Sequence, residues 1–332
     1  MFVVDDHNYR DVMRRMEDLD CATDLLPEPP EFALGDLPSA PPRSESFPLI
    51  PRAEWPDRVR AREARPLSTL LRQSGVGTFN QGGTNWCWAH ATTKAACACL
   101  AAQGTPRVLA AESVAGPASG WRNRGGTLTE AFEQLRRGGA CTRDFVASAN
   151  TVRANSLQAN WQENAALHRA GEHYSIIGAK AWDQIVSALF EGFAIACGVE
   201  WWMHALCYLD PVLLENGDVG VLHDNSHGAS YGEVGLAVFT ESRGTPETGW
   251  GVIAIRSMFT FGNVPPMGDG RDEERRGSGR ARADGPGAGH PAALVDPQPK
   301  RRRGALPRRT AGGRRRLGPG GHGGARRAGL VL

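Results

Sequence analysis

The sequence predicts an α+β fold, and three observations carry that expectation. Strong helix formers (Ala91, Ala95, Ala96, Ala98, Leu100, Ala101 and Ala102) follow Cys87 closely enough to extend one helix from it. Short apolar or β-branched runs at residues 219–222, 235–240 and 252–256 are divided by Gly, Asn, Asp and Pro turns and read as strands. The alanine-rich helix at residue 87 precedes all of the strand runs, which begin at residue 219, so the two kinds of element lie apart in the chain.

Taken in order, residues 1–50 divide into a polar helical stretch at 9–26 and a connector dense in proline from Pro27 to Pro51. Such a connector is expected to be extended, and a linker is preferred here over a short pro-like segment. Residues 51–264 form the main domain. A chain of 332 residues with 41% hydrophobic content has enough apolar material for a full core. Residues 265–332 change to Gly, Arg, Ala and Pro. From Gly268 onward this tail carries ten more positive than negative charges, while the rest of the chain is net −8, an asymmetry hidden in the overall +2. The tail is expected to be disordered. Its arginines could neutralise phosphates, but it has neither aromatic side chains for stacking nor a periodic apolar face, which argues against a nucleic-acid partner.

Asp5, Asp6 and Arg10 occupy the place where a secretory signal would be apolar, and no apolar run reaches the ~18 residues of a membrane span. The expectation is a cytoplasmic protein without a membrane segment. Seven cysteines form an odd, scattered set, which suits a reducing compartment.

Chemistry concentrates at residues 80–90, Asn-Gln-Gly-Gly-Thr-Asn-Trp-Cys-Trp-Ala-His. Only the thiolate of a cysteine is a strong nucleophile, and a free thiol with pKa ~8.5 is only a few per cent ionised at neutral pH. A cysteine in the first turn of a helix gains positive potential from unpaired backbone N–H groups and the macrodipole. Gly82 and Gly83 allow the preceding loop to turn tightly, so that Gln81 can fold back towards Cys87 as an oxyanion donor. Such a thiolate also needs an imidazole to hold its proton and an acceptor to orient that imidazole. His204, His223 and His227 all lie downstream, and Asn225 stands between them in sequence. On the residues alone, any of the three histidines could be the working imidazole. His90, three residues after Cys87, reads as packing. Cys97 and Cys99 point to different helix faces and do not read as a metal pair.

This order of residues resembles the papain-like cysteine peptidases, the papain and cathepsin family. Gln81 precedes Cys87 by six residues, Trp88-Ala89 follows, His204-Ala205 matches the family's His-Ala, and Asn225-Ser226-His227-Gly228 is similar to its Asn-Ser-Trp-Gly. Trp55, the pair Gly125-Gly126 and the stretch 188–196 match secondary landmarks, so the resemblance runs from about residue 50 to about residue 263. It implies a two-lobe fold, with a helical lobe at residues 87–150, a β-rich lobe at 170–262 and the active cleft between them. It also implies a peptidase acting on peptide or protein substrates. Cys87 would be the nucleophile, His204 the acid and base, Asn225 its orienter and Gln81 the oxyanion donor, with no metal or organic cofactor. Gly125 and Gly126 would present backbone to an extended substrate.

The chain departs from the family pattern at four places. Thr84 stands where the family has a disulfide cysteine, and Asn85-Trp86 replace a small pair. His227 replaces an aromatic, so the Asn225 to His204 contact is expected to be less well covered. Only residues 200–203 connect the strand at 195–199 to His204, which removes a loop that shapes specificity in the family. Two rival readings follow: a papain-like binding or structural protein without activity, and another thiol amidase or acyltransferase.

Overall fold

The structure, a computed structural model, describes residues 1–18, 49–62, 66–176, 178, 180–247 and 251–259. The chain separates into a unit spanning Met1–Met267 and a second spanning Gly268–Leu332. The Arg-rich tail and residues 19–48, which include most of the proline-rich connector, lie outside the described residues.

The first half is helical after a short N-terminal strand: β1 (Val3–Val4), α1 (Tyr9–Asp18), α2 (Trp55–Arg62), α3 (Leu67–Gln73), α4 (Cys87–Ala102), α5 (Glu112–Ser119), α6 (Leu128–Arg137) and α7 (Trp161–Ala165). The second half holds β2 (His173–Ser175), α8 (Ala181–Phe190), β3 (Ile195–Val199), β4 (His204–Leu213), β5 (Val219–Asp224), β6 (Leu236–Phe239), α9 (Glu241–Gly244) and β7 (Val252–Ile255). The fold is α+β. Its strands form one sheet in the order β1-β6-β5-β4-β3-β7-β2, antiparallel throughout except where β1 runs parallel to β6.

Side-chain volume explains why α4 can occupy the interior. Its sequence is mostly Ala, Cys and Thr, and every residue from Cys87 to Ala101 is buried. Neighbouring elements can therefore approach it from all sides. The sheet is covered on both faces, which accounts for apolar runs where a half-exposed sheet would alternate with polar residues. Along β4, Ala205, Cys207 and Leu209 face the core built around α4, while Leu206 and Tyr208 face a second core shared with α1, α2 and α8. A register irregularity between Tyr208 and Asp210 frees the Asp210 carboxylate to accept the N–H groups of Leu67 (2.7 Å) and Ser68 (2.9 Å), closing the start of α3.

The N-terminal strand has no sequence signature, because two residues are too few to show a period. Val3 and Val4 add to the edge of β6 opposite Val238 and Phe239, and Val4, Val12 and Met16 are buried in the second core. The first eighteen residues thus cover a sheet edge that would otherwise offer unpaired backbone groups.

Candidate active site

The loop before α4 is tied to the segment that follows β5. Gln81 N–H donates to Ser226 O (2.8 Å) and Gly228 N–H donates to Phe79 O (2.9 Å), on either side of a bridge between Asn80 and His227. Gly82 takes φ +55°, and a Cβ there would press on the Asn150 side chain at 3.2 Å. Glycine meets both constraints. The Gln81 carboxamide is oriented from two sides, because Nε2 donates to Thr84 O (2.7 Å) and Oε1 accepts from Ser226 Oγ. Thr84 Oγ1 donates back to Gln81 O at 2.7 Å.

A polar clip holds the same loop where the family resemblance led to a missing disulfide. Asn123 Oδ1 accepts the N–H of Asn85 at 2.7 Å, and Asn123 Nδ2 donates to Gly83 O at 3.1 Å. One side chain therefore joins the loop two residues before Cys87 to the segment before Gly125. Cys87 itself is the first residue of α4 and is fully buried.

His204 is delivered by a sharp change of backbone direction. A 3-10 turn at Glu200–Trp202 ends in Met203 at φ +48°, and His204 opens β4. Its Nε2 lies 2.9 Å from Asn225 Oδ1. A carboxamide oxygen only accepts, so Nε2 carries the hydrogen. Nδ1 is then the nitrogen with the lone pair, and it is buried without a hydrogen-bond partner among the described residues. Burial lowers the His204 pKa to about 4; the Asn225 hydrogen bond opposes that shift and His90 adds to it.

The expectation of thin cover over this contact is corrected. Both His204 and Asn225 have 0% exposure. The His227 ring stacks on His204 with centroids 4.5 Å apart and planes 15° from parallel, and Trp202 lies 4.9 Å from His204. A smaller ring at position 227 suffices because Trp202 fills the neighbouring space. His227 is held neutral: burial, with help from His204 and His90, lowers its pKa to about 2.

A buried ion pair joins the two elements that carry Cys87 and Asn225. Lys94, on α4, places Nζ 2.9 Å from Asp224 Oδ2 and 2.6 Å from Gly77 O, and lies over the Phe79 ring at 4.8 Å. Asp224 immediately precedes Asn225 and also accepts from Thr78 Oγ1 at 3.2 Å. The reading of the sequence missed this pair, although one signal was visible: Lys94 is the only formally charged residue in α4.

The remaining candidates fall into place separately. His223 accompanies Tyr231 Oη at 2.8 Å and stacks on Phe239, in the core on the far face of the sheet, where burial lowers its pKa to about 3. His90 is buried edge-on to Phe79. Gly125 and Gly126 are buried, and a Cβ on Gly126 would lie 2.5 Å from the Trp88 ring. Burial raises the Cys97 thiol to about 11 and the Cys99 thiol to about 12, so neither is an ionised nucleophile. Among the described residues, no group of three or more His, Cys, Asp or Glu could hold a metal ion, and no helix is long and apolar enough to cross a membrane.

No family model matches the chain, and no curated protein matches it. Solved structures do show likeness. Procathepsin L 3 of the Tenebrio molitor larval midgut is 14% identical with a TM-score of 0.47, over 76% of this chain and 90% of that one. The ragweed pollen allergen Amb a 11 in its proform is 15% identical with a TM-score of 0.45, over 55% of this chain and 62% of that one. The protease and lectin-like domains of Clostridium difficile Cwp84 are 14% identical with a TM-score of 0.46, over 57% and 51%. The ragweed and clostridial proteins are cysteine proteases. The chain thus spans less than two thirds of the ragweed and clostridial chains. The chemistry rests on the residues of this chain.

Proposed function

We propose that the protein is a papain-like thiol peptidase in which Cys87, His204, Asn225 and Gln81 act together on a peptide or protein substrate. The observation that carries this reading is the buried contact of His204 Nε2 with Asn225 Oδ1. It fixes the tautomer whose open nitrogen, Nδ1, is free to accept a thiol proton.

In the proposed reaction the Cys87 Sγ–H proton passes to His204 Nδ1, and the thiolate adds to the substrate carbonyl carbon. The carbonyl oxygen takes the electron pair as an oxyanion. The N–H of Cys87 and Nε2 of Gln81 supply its donors, and loss of one such donor typically lowers the rate by about 10²–10³. Collapse of the adduct expels the amine, which takes the proton from Nδ1, and leaves a thioester. Water, giving a proton to Nδ1, then attacks the thioester, and the proton returns to sulfur as the acid leaves. Burial disfavours an isolated His204 imidazolium, so the ion pair depends on the thiolate forming beside it and on Asn225 as acceptor. Gly125 and Gly126 are the proposed backbone contacts for an extended substrate, and the packing of Gly126 on Trp88 fixes where that backbone lies.

A fluorogenic peptide mixture incubated with the full chain tests the reading. Turnover by the wild type and its loss in Cys87→Ala and His204→Ala are expected, and equal turnover in Cys87→Ala would overturn it. One observation favours a second reading, a protein that binds without cleaving: Cys87 and His204 both have 0% exposure, so a substrate must first open the site.

A further inference from the structure

We infer that Trp202 is a positioning residue for His204, whose indole fixes the tilt of the imidazole and favours its protonated form during the reaction. The inference rests on the peptidase reading above and adds to it a residue that the sequence pattern does not supply.

Three rings meet at the site as a triangle. Centroid separations are 4.9 Å for Trp202 to His204, 4.5 Å for His204 to His227 and 5.9 Å for Trp202 to His227. These lengths put Trp202 beside the His204–His227 stack, where it touches both rings at once. The His204 ring is thereby confined in two directions, while Asn225 fixes it in a third through Nε2.

Trp202 is itself held on several sides. It is buried, stacks on Trp201 at 5.4 Å with planes 16° apart, and lies 5.8 Å from the Tyr231 ring. Trp201 is anchored in turn by its Nε1–H, which donates to Arg243 O at 2.8 Å, and by the edge contact with Tyr9 at 5.4 Å. Only Met203 separates Trp202 from His204, and it sits in the left-handed region at φ +48°. Non-glycine residues adopt that conformation when their surroundings enforce it. Here it lets two near-adjacent aromatic side chains turn towards one another.

The electrostatic role follows from the neighbours of His204. His90 on α4, His223 on β5 and His227 beyond β5 are within electrostatic reach, and burial keeps all three neutral. None of the three therefore carries a charge that would favour a positive ring on His204. The buried Lys94 is paired with Asp224. Apart from the Cys87 thiolate, the groups among the described residues that favour an imidazolium are Asn225 Oδ1 and the Trp202 indole, whose ring centroid lies 4.9 Å from that of His204 with planes 46° apart, inside the ~6 Å range of cation–π attraction.

Alkylation of Cys87 reads this out without requiring a peptide substrate. Rates are measured from pH 5 to 10 with iodoacetamide and with iodoacetate, for the full chain and for Trp202→Leu and Trp202→Phe. The anionic reagent gains over the neutral one only while His204 is protonated, so the pH at which the advantage disappears reports the imidazolium. Leucine keeps the apolar cover and removes the quadrupole. The transition is expected to fall by about one pH unit in Trp202→Leu, a tenfold loss of protonation, and by less than half of that in Trp202→Phe. An unchanged transition in Trp202→Leu, or equal shifts in both variants, would overturn the inference. If leucine prevents folding, a Trp202→Phe transition shifted by a full unit overturns it alone. The wild type judges the peptidase reading separately: labelling that rises only near pH 8.5, with no preference for iodoacetate, removes that reading and this inference with it.

Discussion

Removing Lys94 should destabilise the protein far more than removing both members of its ion pair. In Lys94→Ala the Asp224 carboxylate, with a side chain 7% exposed, loses its 2.9 Å partner and keeps only Thr78 Oγ1 at 3.2 Å. Breaking a buried pair from one side usually costs about 3–5 kcal/mol, because an uncompensated charge stays out of water. That is a large share of the roughly 5–15 kcal/mol by which domains are stable. Replacing both partners, as in Lys94→Met with Asp224→Leu, removes the charge along with its partner and should cost less than either single change. Burial already raises the Asp224 pKa, against Lys94 and Thr78, which lower it. With the folded pKa above the unfolded value, the native state binds more protons than the unfolded state. Stability from this group therefore falls as pH rises through that interval, and loss of Lys94 widens the interval upwards. Urea unfolding followed by fluorescence should accordingly give a smaller deficit for Lys94→Ala at pH 5.5 than at pH 8. A deficit below about 1 kcal/mol at pH 8, or a double variant less stable than the single one, would show that the Lys94–Asp224 pair does not carry this stability.

Further predictions concern the histidines, the glycine pair and the loop clip. His90, His173 and His204 at about 4, His223 at about 3 and His227 at about 2 are all lowered chiefly by burial. Their native state binds fewer protons, so stability should be lost as pH falls below ~6.5, and urea midpoints should drop steadily from pH 7 to pH 5. Gly126→Ala places a Cβ 2.5 Å from the Trp88 ring and 2.7 Å from Glu130 Oε2. Overpacking of this kind should cost about 1–3 kcal/mol, seen as a lower Tm. Asn123→Ala removes the hydrogen bonds that Asn123 makes to Asn85 N–H and Gly83 O. Both bonds are solvent-exposed, so the loss should cost about 0.5–1.5 kcal/mol and slow alkylation of Cys87, whereas Asn123→Ala with normal stability and normal alkylation would show that the clip has no role.

Local patterns made much of the fold legible. Alanine density placed α4, and its first residue is Cys87; apolar runs at 219–222, 235–240 and 252–256 became β5, β6 and β7 with ends shifted by one or two residues. The hydrogen bond of His204 to Asn225 was expected from the family resemblance, not from any local pattern. What escaped was pairing between distant residues. Lys94 meets Asp224, Asn123 meets Asn85, and Trp202 meets His227 only after the sheet has closed on α4. No period or composition encodes such contacts. Cover over His204 was misjudged for the same reason: position 227 was weighed alone, while Trp202, close to His204 in sequence, became its neighbour only through the left-handed turn at Met203.

The central claim is that Cys87 is a thiol activated by His204. Intact-mass labelling with a peptidyl epoxide, run beside Cys87→Ala and His204→Ala over pH 5 to 9, tests it most directly. A single adduct is expected on the wild type, absent in Cys87→Ala and weak below pH 7 in His204→Ala. Wild-type labelling that grows only as pH passes ~8.5, as for an ordinary thiol, would contradict it.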